Sequence, residues 1–133
     1  MESRFVLSEK EYMILTLLWE SENGLTSVQM LEREPYIFKN ATYVHRTLNV
    51  LLKKGLIVEN GSIQYGKQYA RIFFPSMTRE EYAAAAAIEN GIGLHSLKDF
   101  TLALFKQTTH NTSEEKKEAI RKLQEVIDSI DQD

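Results

Sequence analysis

The sequence predicts a mainly α fold with one small β-hairpin, an α+β chain, on three observations. A hydroxyl residue followed three positions later by Glu or Gln recurs at Ser8/Glu11, Thr26/Gln29, Thr78/Glu81 and Thr112/Glu115. Such a pair satisfies the free amides at a helix start, because the hydroxyl accepts from the N3 amide while the acid or amide side chain reaches back to the cap. Branched and aromatic residues flank glycine-containing pairs between Leu56 and Phe74, as in a hairpin. Between Lys39 and Pro75, six cations face one acid, Glu59, a local balance of +5 in a chain of net charge −3. Cations concentrated on one helix and one hairpin of an anionic protein are the footprint of a surface that neutralises phosphates.

The elements follow in order. Ser8 and Glu11 open a first helix with Tyr12, Leu15, Leu18 and Trp19 on one face, fading by Ser21 to Gly24. Gly24 to Thr26 is a stub of strand able to pair with a hairpin edge. Thr26 and Gln29 open a short second helix that turns Val28, Met30 and Leu31 inward and that Pro35 cannot continue. Asn40 caps a third helix, Ala41 to Lys54, which Gly55 stops. In it Val44, Leu48, Leu51 and Leu52 recur at helical spacing and face inward, leaving Thr42, Tyr43, His45, Arg46, Asn49 and Lys53 outward. Strands at Leu56 to Glu59 and Tyr69 to Phe74 then enclose a loose tip holding Asn60-Gly61 and Gly66-Lys67. Helix, stub strand, helix, helix and hairpin is the order of a winged helix-turn-helix, with the third helix placed to enter a major groove.

Beyond Pro75 the balance reverses, with seven cations against eleven acids, or −4. Thr78 caps a helix through the alanine run 83 to 87, Gly91 and Gly93 break it, another begins near Ser96, and Thr112 opens the last. Leu97, Phe100, Leu102, Leu104 and Phe105 surround their helix on more than one side, and Ile120, Leu123, Ile127 and Ile130 form a stripe on theirs. Apolar surface of that extent asks for a partner, the simplest being a second copy. The expected organisation is a winged helix-turn-helix DNA-binding domain over residues 1–76 and a helical dimerisation region over 77–133. Asn40, Thr42, Tyr43, His45, Arg46, Asn49, Lys53, Lys67 and Arg71 are the expected DNA-binding set. Leu97, Phe100, Leu104, Phe105, Ile120, Leu123, Ile127 and Ile130 are the expected dimerisation set.

At 133 residues and 43% hydrophobic content the chain suits one good core or a small domain with an appended element. The absence of cysteine removes disulfides, thiolate metal sites and cysteine nucleophiles together. Met1-Glu2-Ser3-Arg4 leads into no apolar h-region and no lipid-spanning run follows, so the expected location is the cytoplasm, without membrane insertion. His45, His95 and His110 are too scattered for a metal site or catalytic base, and no Gly-rich phosphate loop, paired-carboxylate motif or HExxH spacing is present. Neither an enzyme nor a cofactor is expected. The alternative reading is a winged-helix protein–protein interaction module without sequence-specific DNA binding, since a fold does not dictate its partner.

From Leu7 to about Ile130 the chain resembles the penicillinase-repressor (BlaI/MecI/CopY) family of winged-helix transcriptional regulators. The likeness is carried by Leu7-Ser8-Glu9-Lys10-Glu11, Leu17-Leu18-Trp19-Glu20, Thr47-Leu48-Asn49, Leu52-Lys53-Lys54-Gly55-Leu56-Ile57, Tyr69 to Pro75 and Thr78-Arg79-Glu80-Glu81-Tyr82. It implies a homodimer that binds double-stranded DNA at a palindromic operator and blocks transcription. It places Thr42, Tyr43 and Arg46 at base and phosphate contacts and Lys67 in the wing. Val50 stands where relatives usually carry arginine, and Lys98-Asp99-Phe100 occupies the neighbourhood of the Asn-Phe bond cleaved in relatives. The copper-responsive branch has a cysteine-rich tail, and its lack here argues against copper sensing. No residue names an inducer or sensor partner.

Overall fold

Four hydroxyl caps organise the helices of the computed structural model, which describes residues 3–132. Met1 and Glu2, which open the chain, and Asp133 lie outside the described residues. Ser8 caps α1 (Glu9–Trp19), Thr26 caps α2 (Ser27–Arg33) and Thr112 caps α7 (Ser113–Ile130), each in a reciprocal capping box. Thr78 and Glu81 exchange the same pair of bonds at the start of α5 (Arg79–Glu89). Between these lie α3 (Pro35–Phe38), α4 (Ala41–Lys53), β1 (Ile57–Tyr65), β2 (Gln68–Pro75), a 3-10 turn at Leu94–Ser96 and α6 (Leu97–Thr108). The chain divides into two compact units, Met1–Ala86 and Ala87–Asp133.

In the first unit α1, α2 and α4 enclose a core in which Ile14, Leu15, Leu18, Met30, Val44, Leu48 and Leu51 are all but inaccessible to water. Two inward assignments are corrected. Tyr12 is 49% exposed because the buried face of α1 is Ile14, Leu15, Leu17 and Leu18, and Val28 is 44% exposed because Met30 takes the core position of α2. Pro35 ends α2 as expected, yet it then occupies the first position of α3, where its fixed φ and missing amide are tolerated. That single turn sends Phe38 into the core with no exposed surface. Lys39, at φ +67°, reverses the chain into Asn40, whose side-chain oxygen accepts from the Tyr43 amide at 3.1 Å and starts α4. The helix expected third is thus the fourth.

The hairpin is longer and tighter than the residues suggested. β1 continues to Tyr65, and Gly66-Lys67 alone forms the turn, with Gly66 at φ +60° in the left-handed region favoured by two-residue loops. Asn60-Gly61 is not a tip but an irregularity inside β1, where the register shifts between Glu59 and Ser62. The stub strand forms as expected. Leu25 pairs with Phe73 through a backbone N–H to carbonyl hydrogen bond in each direction, at 3.1 and 2.8 Å, and both side chains are buried. With this third strand in place the element order is that of a winged helix-turn-helix.

The first unit reaches past Pro75 because Tyr82 packs on it. The Tyr82 ring lies 5.7 Å from Phe5 and 5.4 Å from Trp19, its hydroxyl donates to the Phe5 carbonyl at 3.0 Å, and burial pushes that hydroxyl's pKa above its ordinary value. Trp19 donates its indole N–H to the Met77 carbonyl at 3.0 Å. In the second unit α6 and α7 flank an apolar groove of about 560 Å³ whose lining includes Leu102, Phe105, Ile120 and Leu123. No residue of these two helices is buried.

Gly24 lets the stub strand approach β2. A Cβ there would lie 2.7 Å from the Phe73 carbonyl oxygen and 2.8 Å from side-chain carbons of Ile72 and Phe74, and its φ is +72°. Gly24→Ala combines a left-handed side chain with a backbone clash. It is expected to lower stability by at least about 2 kcal/mol, read as a fall in the urea midpoint; an unchanged midpoint would contradict this packing.

Candidate nucleic-acid interface

Helix α4 separates its two faces cleanly. Val44, Thr47, Leu48 and Leu51 point into the core, with the Thr47 hydroxyl satisfied by donating to the Tyr43 carbonyl at 2.8 Å. Thr42, Tyr43, His45, Arg46, Asn49 and Lys53 are all exposed, as the spacing predicts, and no acid stands among them. Asn40 is exposed as well, but its side chain is engaged in starting the helix. Over thirteen residues α4 rises about 20 Å, so Asn40 and Lys53 belong to opposite ends of that face.

The structure brings part of the expected set together with the wing. His45 lines a groove of about 230 Å³ with Ser27 and Val28 of α2 and with Gln68 to Arg71 and Phe73 of β2. Strand alternation places Tyr69, Arg71 and Phe73 on one side of β2, and of these Phe73 is buried in the core. Lys67 stands apart from that groove, exposed in the two-residue turn at the end of the hairpin.

Two cations of the basic segment are bound within the fold. Lys54 makes an ion pair of 2.6 Å with Glu11 and a second bond of 2.9 Å to the Val6 carbonyl, with its side chain 22% exposed. It joins α4 to α1 and serves structure. Arg71 pairs with Glu59 across the hairpin at 3.1 Å and lies 5.2 Å from the Phe73 ring, so its charge is locally offset. Among the described residues, Lys39, Arg46, Lys53 and Lys67 have no ion pair.

One cation near α4 escaped the sequence reading. Lys10 of α1 places its ammonium 4.5 Å from the centroid of the Tyr43 ring, which the Arg46 guanidinium approaches at 5.7 Å. The signal was present in the spacing. Lys10, Ile14 and Leu17 lie at helical steps of four and three, so the stripe that packs α1 on its neighbours begins with this lysine.

Of the expected dimerisation residues, Leu97, Phe100, Leu104, Ile120, Leu123, Ile127 and Ile130 are exposed and Phe105 is half-buried. His95 and His110 are exposed and lie in the second unit. Among the described residues no group of three His, Cys, Asp or Glu side chains is placed to hold a metal, and no helix is long and apolar enough to cross a membrane.

No protein-family model matches the chain, and no curated protein sequence does. Among solved structures it is similar to Staphylococcus aureus MarR in complex with salicylate and kanamycin, at 14% identity and a TM-score of 0.42, over 93% of this chain and 73% of that one.

The Lys54 to Glu11 bridge carries a pH signature. Burial works against ionising the Glu11 carboxyl, but hydrogen bonds from Lys54 and Ser8, together with the Lys54 charge, outweigh it and hold the pKa below the usual 4.5. A carboxyl depressed on folding adds stability that is complete above the unfolded value and lost as pH falls through the folded one. Stability is therefore expected to drop below about pH 4.5, and Glu11→Gln is expected to remove this part of the drop. A Glu11→Gln protein with an unchanged acid-unfolding profile would contradict the bridge.

Proposed function

We propose that this protein is a sequence-specific DNA-binding transcriptional repressor, acting as a homodimer on a palindromic operator. The observation that carries the reading is the outward face of α4, polar apart from Val50, free of acids and dotted with unpaired cations, beside a wing with an exposed lysine at its turn. A helix of this kind suits a major groove, and two copies related by a two-fold axis would meet successive grooves about one helical turn apart. Arg46, Lys53 and Lys67 set position on phosphates, with Arg71 contributing less because Glu59 shares its charge. Thr42, Tyr43 and His45 are the residues assigned to base edges. The resemblance to penicillinase repressors supports the same assignment, as do the element order and the absence of a catalytic grouping in the motifs.

The C-terminal helices are the dimerisation region in this reading. Their exposed leucines, isoleucines and Phe100 would otherwise face water along two helices. Sedimentation equilibrium is expected to show a dimer at tens of micromolar protein, and a monomer at that concentration would refute it.

DNA recognition is tested by selecting duplexes from a random pool and titrating the winner across a salt series. Affinity is expected to fall by about a thousandfold or more between ~50 and ~200 mM salt. Arg46→Ala with Lys67→Ala is expected to weaken binding and to reduce the salt slope by about two per protomer. A flat salt dependence, or a double variant that binds unchanged, would overturn the reading. If no duplex is retained while one protein binds stoichiometrically, the exposed Val58, Ile63 and Tyr65 of the hairpin favour the protein-docking alternative.

A further inference from the structure

Lys10 occupies a place that helix stability alone does not explain. It lies in the first turn of α1, where the amide dipoles are positive at the N-terminus and acids are favoured. Glu9 and Glu11 on either side conform to that preference; Lys10 opposes it. The obvious ion-pair partner is also taken, because the Glu11 carboxylate is engaged by Lys54 and by the Ser8 amide. Among the described residues, Lys10 has no ion pair of its own.

What Lys10 does meet is an aromatic face. Its ammonium sits 4.5 Å from the centroid of Tyr43, in the first turn of α4 on the outward side. The same ring is approached by Arg46 at 5.7 Å, and Tyr43 remains 37% exposed. A ring face attracts a cation without neutralising it, so both cations keep their full charge while the ring restricts where they lie. The Lys10 side chain is itself half-covered, which removes part of the freedom that a lysine ordinarily loses on meeting a phosphate.

We propose that Lys10 is a DNA-phosphate contact supplied from α1, with Tyr43 as the residue that positions it. The proposal rests on the repressor reading of α4 and extends the DNA-facing surface to a helix outside the helix-turn-helix. The ammonium acts as a point charge on one backbone phosphate beside the α4 N-terminus, and Tyr43 couples that contact to the groove-facing side chains. Tyr43 then has two roles, one toward the duplex and one toward Lys10.

The test uses the full chain and a duplex selected from a random pool, with binding followed across a KCl series. Lys10→Ala is expected to lower affinity by about tenfold and the salt slope by about one per protomer. Lys10→Arg is expected to restore the slope, since charge and reach are kept. Tyr43→Phe retains the ring and is expected to leave the Lys10 contribution intact, whereas in a Tyr43→Ala background Lys10→Ala is expected to have a smaller effect than in the parent protein. A purely structural lysine would change the thermal midpoint without moving the salt slope. Parent protein that binds with a steep slope, alongside Lys10→Ala or Lys10→Gln protein of identical slope, would overturn the proposal and leave the repressor reading standing. Parent protein that binds no duplex would overturn both.

Discussion

The wing keeps its place beside α4 because Leu25 and Phe73 exchange two backbone hydrogen bonds, one of 2.8 Å and one of 3.1 Å. An isolated two-stranded hairpin is at best marginally stable in water. Here the stub strand adds a second pairing, and both side chains at that pairing are buried in the same core as α1, α2 and α4. Once Phe73 is anchored inward, strand alternation turns Arg71 and Tyr69 to the same side, toward the groove that His45 also lines. The hairpin is therefore held by a contact made in the core, well below the surface that it presents.

Neighbouring cations meet opposite fates on this scaffold. Lys53 and Lys54 are adjacent in sequence, yet a helix turns by 100° per residue, so one faces solvent while the other faces α1. Lys54 ties the end of α4 to the start of α1, and Arg4 adds a bond to its carbonyl at 3.3 Å. Charge placed within the core boundary holds the helix; charge placed outside it is left free. Surface pairs such as Arg79 with Glu20, at 3.8 Å, add little by comparison.

What local chemistry determines was legible in the residues. The hydroxyl caps marked the helix starts, and the stripe of Val44, Leu48 and Leu51 identified both faces of α4, because capping and amphipathic spacing act within a turn or two. The failures share a different origin. α3 has only four residues and no side-chain cap, so nothing announces it, although it delivers Phe38 to the core. Asn60-Gly61 has the composition of a turn and is overruled by strand pairing on both sides of it. Contacts between Lys54 and Glu11, 43 positions apart, and between Lys10 and Tyr43 depend on how α1 crosses α4. No periodicity within a single segment encodes that crossing. The candidate interface was thus legible along α4 and at the wing turn, and illegible where another helix reaches across to it.

The hydrogen bond from Trp19 to the Met77 carbonyl has a consequence for watching this molecule at work. The chain contains one indole, and it is lodged where α1 meets the entry to α5, 5.4 Å from the Tyr82 ring and from the Arg79 guanidinium. Its ultraviolet emission therefore reports on a single joint, undiluted by other chromophores of its kind. Loosening of α5 from the winged region would register as a spectral shift with no label attached.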